Sequence, residues 1–141
     1  MILGRFGDTS GRPYVTAHVE LLRLGVEGEI SFLVDTGADS TVIMPLDAKR
    51  LGIEYSELSD PADSFGVGGK SSDYLEPGMV AFGDDNGLYG YHLGLIIMKP
   101  KEGINSTPSL LGRDILQNWD MRMSKPDNMI QFKVIHSHIR V

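Results

Sequence analysis

An acid stands directly behind an apolar run at Phe32-Leu33-Val34-Asp35, and the small and polar residues Thr36-Gly37-Ala38-Asp39-Ser40 follow before Thr41-Val42-Ile43. Burying an isolated carboxylate is costly unless it is protonated or hydrogen-bonded, so an acid at the end of a buried strand needs a reason. Thr36 brings a hydroxyl and Gly37 permits a tight turn. The polar island between two apolar stretches therefore reads as a loop aimed into a site, with Asp35 as its reactive group. The tripeptide alone would better suit a surface turn between two strands, because short motifs carry little information.

Other segments share the chemistry. Pro108-Ser109-Leu110-Leu111-Gly112-Arg113-Asp114-Ile115-Leu116 places apolar residues before Gly-Arg and a short helix. Phe65-Gly66-Val67-Gly68-Gly69-Lys70 is Gly-rich and lies between the two. Gly11-Arg12-Pro13-Tyr14-Val15-Thr16 leads into a β-rich run. In this order, over residues 11–118, the four segments resemble the retropepsin-like (retroviral-type) aspartic proteases. Their counterparts there are the Asp-Thr-Gly loop, the Gly-Arg signature before a short helix, the flap tip and an Arg-Pro approach to the first core strand.

The resemblance implies an all-β fold: a closed retropepsin-like barrel with one or two short helices and a flap hairpin, one domain over 1–141. It implies an aspartic endopeptidase that needs no cofactor or metal and acts on a peptide or protein substrate. The chain carries a single Asp-Thr-Gly, so the aspartate pair would require a homodimer, with the same patch of both subunits meeting on a twofold axis. Asp35, Thr36 and Gly37 would be catalytic, with Thr36 bonding across the axis. Gly37, Ala38 and Asp39, with Val67, Gly68 and Gly69 of the flap, would hold substrate. Arg113 would pair with Asp39 of its own subunit, and Arg12 would reach the Asp39 region of the other. Ala38, Ile43, Val67 and Ile97 are candidates for pocket walls or for plain core. The alternative function is a non-catalytic dimeric module of the same fold that binds a peptide or protein, and a third is a protease domain cut from a longer polypeptide.

The elements that must position these residues are short, because Gly and Pro punctuate the whole chain. Tyr14 to Leu21 alternates as a strand, a turn is expected over Gly25-Val26-Glu27-Gly28, and Glu29 to Val34 runs back into Asp35. Thr41 to Met44 is a short β segment. Pro45 to Leu51 is the best helix, with Pro in its first turn and Gly52 behind it. Gly78 to Phe82 and Leu88 to Met98 read as strands around a turn at Gly83 to Gly87, and Gly112 to Asn118 as a second helix. Trp119 to Met123 and Met129 to Val134 form a hairpin around Lys125-Pro126-Asp127-Asn128. Retroviral members end soon after the second helix and dimerise through terminal strands. Here the hairpin over about 119–134 either contributes the dimer sheet or covers its own subunit's core.

Composition sets bounds on the partners. The chain has 141 residues, 41% hydrophobic and 23% charged, with a net charge of -6, an ordinary composition for a water-soluble domain. It has no run of Lys or Arg, which argues against nucleic acid or an anionic membrane as partner. The absence of Cys removes disulfides, thiol nucleophiles and Cys-based zinc sites, and fits a cytoplasmic location. No apolar run approaches membrane-spanning length. His18, His92, His136 and His138 lack acids at ligand spacing, and Ser71 and Ser72 lack His–Asp partners.

Overall fold

The computed structural model describes all residues except 67–68, with side chains undescribed across 62–72. In chain order the strands are β1 (Ile2–Leu3), β2 (Arg5–Phe6), β3 (Pro13–Leu21), β4 (Val26–Val34), β5 (Val42–Ile43), β6 (Pro61–Gly66), β7 (Gly69–Asp84), β8 (Gly87–Ile97), β9 (Leu110–Leu111), β10 (Trp119–Ser124), β11 (Met129–Val134) and β12 (Ile139–Arg140). The two helices are α1 (Pro45–Leu51) and α2 (Arg113–Leu116).

Alternation in β3 turns Val15, Ala17, Val19 and Leu21 inward and leaves Thr16 and His18 exposed, as a half-buried strand requires. Its antiparallel partner β4 runs from Leu21↔Val26 to Tyr14↔Leu33 and ends one residue before Asp35. The reversal comes earlier than the expected 25–28 turn. A 3-10 turn over Leu22–Leu24 closes on Gly25, whose φ of 67° suits glycine, and Val26 to Gly28 already belong to β4. Gly28 lies against α1, where a Cβ would come 2.4 Å from Leu51 Cδ2 and the leucine side chain would have to shift.

Six strands close into a barrel. β8 pairs β5, β5 pairs β9, β9 pairs β4, β4 pairs β3, β3 pairs β7, and β7 returns to β8. The β4–β9 and β5–β8 pairings are parallel and the rest antiparallel. Phe32, Val19, Ile30, Phe82, Tyr91, Leu95 and Ile97 fill the interior with at most 1% exposure each. Ile43 and Ile97 are wholly buried, so both are core rather than pocket wall.

β7 is much longer than the expected 78–82 segment, at sixteen residues. Polar residues and Pro77 hid it. Pro77 is tolerated because β3 reaches β7 only at 79–81, so the strand has β8 alone beside it there. The turn into β8 shrinks to Asp85 and Asn86 between Asp84 and Gly87.

α1 spans the expected residues, with Pro45 in the first turn and Gly52 at φ 84° closing it. α2 is shorter than the expected 112–118, and Gly112 is its extended N-cap. The hairpin β10–β11 pairs residue for residue from Trp119↔Val134 to Ser124↔Met129, and β1 adds to its far side. Trp119 packs edge-on against Phe82 at 4.7 Å between ring centres and lies 4.9 Å from Phe132. The hairpin therefore covers its own subunit's core through one face. No helix among the described residues is long and apolar enough to cross a membrane.

Candidate active site

Asp35 sits where β4 leaves the barrel. Its N–H still donates to Leu111 O at 3.1 Å, the last bond of the parallel β4–β9 pairing. The chain then turns sharply: Ala38 N–H donates to Asp35 O at 3.2 Å, and Gly37 N–H donates to Asp35 Oδ1 at 3.0 Å. The second bond fixes the rotation of the carboxylate. Asp35 Oδ2 has no hydrogen-bond partner among the described residues. Asp35 and Ala38 are half-buried, whereas Thr36, Gly37 and Asp39 are exposed.

The loop is clasped from far along the chain by the turn into α2. Arg113 N–H donates to Ala38 O at 2.8 Å and Arg113 Nη1 to Thr36 O at 2.8 Å, while Nη2 pairs with the carboxylate of Asp39. A planar guanidinium can hold two acceptors at a fixed angle, so one side chain sets the positions of Thr36 and Asp39 together. The contact is close enough to demand glycine at 112, where a Cβ would lie 2.4 to 2.9 Å from the backbone of Ser40.

Sequence reasoning did not single out the residues behind the loop. Thr41 is fully buried. Its N–H donates to Asp114 Oδ2 at 2.9 Å and its hydroxyl to Asp114 Oδ1 at 2.7 Å. The same hydroxyl accepts from Gly112 N–H at 3.1 Å. Nearby, buried Ser109 donates to Asp47 Oδ2 of α1 at 2.6 Å and accepts from Met44 N–H at 2.9 Å. The available signals were weak: a Thr opening an apolar run, and an acid directly after Gly112-Arg113.

The remaining expected site residues lie apart. The Arg12 side chain has no hydrogen-bond or ion-pair partner among the described residues. Gly69 opens β7 opposite Gly66 of β6. Val67 and Gly68 lie outside the described residues.

Residues 22–80 match the family model for aspartyl proteases. Over 94% of this chain and 88% of the other, the fold superposes on a retropepsin-like aspartic protease from Rickettsia conorii with TM-score 0.56 and 19% identity. The chain has a retropepsin-like fold, and part of it matches the aspartyl protease family. The EIAV protease complexed with the inhibitor HBY-793 also aligns, at 21% identity and TM-score 0.49 over 79% of this chain and 90% of its own. No curated protein sequence matches. The family match takes in the Asp35 loop and α1 but stops before Gly112 and Arg113. In this chain it is the barrel that brings Gly112 and Arg113 onto the loop.

Proposed function

We propose that this chain is an aspartic endopeptidase whose catalytic pair is Asp35 of one copy and Asp35 of a second. The observation that carries the reading is the Asp35 carboxylate itself. One oxygen is anchored by Gly37 N–H and the other is left open, on a loop braced at both ends by Arg113 and Asp114. One chain supplies one such group, and the chemistry needs two.

Two carboxylates about 3 Å apart cannot both ionise easily, so such a pair holds one proton between them. The ionised member takes a proton from a water, whose oxygen attacks the peptide carbonyl carbon. The protonated member gives its proton to the carbonyl oxygen. The tetrahedral intermediate then collapses, a proton passes to the leaving nitrogen, and an acid and an amine are released. The two roles belong to the pair rather than to either residue. Thr36 bonds across the axis. Gly37, Ala38 and Asp39 meet an extended substrate from below, and Val67, Gly68 and Gly69 meet it from the flap, so that the substrate adds a strand. Arg12 reaches the Asp39 region of the second copy.

The test is a mixed peptide library incubated across about pH 3 to 7, with cuts mapped by mass spectrometry beside Asp35→Asn. Wild type should cut on the acidic side with a bell-shaped profile, and the variant should not cut. Cutting that persists in Asp35→Asn refutes the mechanism. A wild type that binds library peptides and never cuts them points to the binding module.

A further inference from the structure

We propose that Asp47 is a positioning residue for Asp35. From the first turn of α1 it holds β9, through Ser109, against the strand that delivers the Asp35 loop. The brace is read from hydrogen bonds alone; its effect on catalysis rests on the function proposed above.

An acid in the first turn of a helix usually faces solvent and favours the helix dipole. Asp47 is turned inward instead. Its side chain is only 18% exposed, and its Oδ2 accepts from the hydroxyl of Ser109, a wholly buried residue, at 2.6 Å. Its Oδ1 accepts from Arg50 Nη2 at 3.1 Å, and the same Nη2 donates to Glu29 O of β4 at 2.6 Å. α1 also rests on β4 directly, where Leu51 lies against Gly28. The carboxylate therefore stands between a helix fixed to β4 and the residue that opens β9. The Ser109 hydroxyl gives its one proton to Asp47 and accepts from Met44 N–H at 2.9 Å. Met44 is the N-cap of α1, with no side-chain cap of its own.

β9 needs such a brace because it has only two residues, Leu110 and Leu111. A strand so short has few ladder bonds to hold its register, and a slip of one residue would turn the wholly buried Leu111 to the other face. Its C-terminal end is pinned where Gly112 N–H donates to the Thr41 hydroxyl. Its N-terminal end is pinned at Ser109, by the side chain to Asp47 and Met44 and by the carbonyl, which accepts from Leu33 N–H at 2.8 Å. The next bond of that ladder runs from Asp35 N–H to Leu111 O at 3.1 Å. A shift of Ser109 is therefore carried two residues along to the carbonyl that holds Asp35. Two carboxylates that share a proton must stay about 3 Å apart, and a misplacement of about 1 Å can cost about a hundredfold in rate.

Asp47→Ala removes both acceptors, and Asp47→Asn keeps the shape with one acceptor oxygen of the two. Amide hydrogen exchange followed by NMR reads the brace without any substrate. In Asp47→Ala, exchange at Leu33 and Asp35 should quicken at least about tenfold more than at Val80 and Tyr91, which pair in the β7–β8 ladder. Asp47→Asn should lie between Asp47→Ala and wild type, and it carries the test if Asp47→Ala does not fold. Equal quickening at all amides would make Asp47 a support of the whole fold, and quickening confined to α1 would make it a helix cap; either overturns the brace. With a cleaved peptide in hand, Asp47→Ala should lower kcat at least about tenfold, leave KM within about twofold and move the limbs of the pH profile, with partial recovery in Asp47→Asn. An unchanged kcat per folded molecule would overturn the positioning role. If exchange at Leu33 and Asp35 quickens but wild type cuts no peptide, the brace stands and the protease reading falls. If wild type cuts and exchange at those two amides does not respond to Asp47, the protease reading stands and the brace falls.

Discussion

Thr41→Val replaces one hydroxyl with a methyl of nearly the same shape at a fully buried position. Two bonds go with it. The hydroxyl no longer donates to Asp114 Oδ1, and Gly112 N–H loses its acceptor. A bond to a charged group contributes about 1.5–3 kcal/mol, and an orphaned buried donor costs about 1–3 kcal/mol. The added methyl returns about 0.8 kcal/mol. The two losses share one atom and overlap, so the net cost should be about 2–4 kcal/mol, a large part of the roughly 5–15 kcal/mol that holds a domain together. Urea unfolding followed by tryptophan fluorescence reads this directly. With a slope of about 2 kcal/mol per molar, the midpoint should fall by about 1–2 M with the slope unchanged. Thr41→Ser keeps the hydroxyl and should lose no more than about 1.5 kcal/mol. Asp114→Asn keeps an acceptor and should fall between the two. A Thr41→Val midpoint within about 0.3 M of wild type would refute the claim that this hydroxyl joins the loop to α2.

Gly112→Ala drives a Cβ into the backbone of Ser40; it should cost about 3 kcal/mol and abolish any peptide cutting, checked by the same unfolding assay beside the library digest. Arg23→Ala leaves Glu76, 2% exposed, without the guanidinium that now bonds both its oxygens. Arg23 is itself half-exposed, so the melting temperature should fall by less than breaking a fully buried pair would cause, with partial rescue by Arg23→Lys in thermal melts. Burial raises the pKa of Tyr91, whose hydroxyl donates to His136 O at 2.8 Å and accepts from Trp119 Nε1 at 2.7 Å. A raised folded pKa means its neutral form stabilises the fold below the ordinary tyrosine range, and that contribution is lost as pH climbs above about 10. Tyr91→Phe should therefore be less stable at neutral pH and lose less stability between neutral and alkaline pH, as measured by unfolding midpoints.

Local chemistry made parts of this fold legible in the amino-acid order alone. Pro45 and Gly52 bracket α1 because a proline ring suits a first turn and a glycine suits a left-handed cap. Alternation along residues 14–21 and the Lys125-Pro126-Asp127-Asn128 turn mark hairpins whose partners are close in the chain. Asp35 stood out because an acid rarely follows three apolar residues without a task.

The tertiary structure decided what depends on distant partners. β5 and β9 have two residues each, too few to show a period, and they exist only because the barrel supplies a strand on either side. Pro77 and the polar residues before it conceal one continuous β7: Pro77 is tolerated because only β8 lies beside the strand there, and buried Glu76 because Arg23 bonds its carboxylate. Ile43 and Ile97 could have been pocket or core by type, and burial made them core. The bracing of Asp35 joins Thr36 to Arg113, 77 residues apart. Residue types along 35–41 and 112–114 specify what chemistry each segment can do. Only the closed barrel, by pairing β4 with β9, puts the two segments within hydrogen-bond reach of each other.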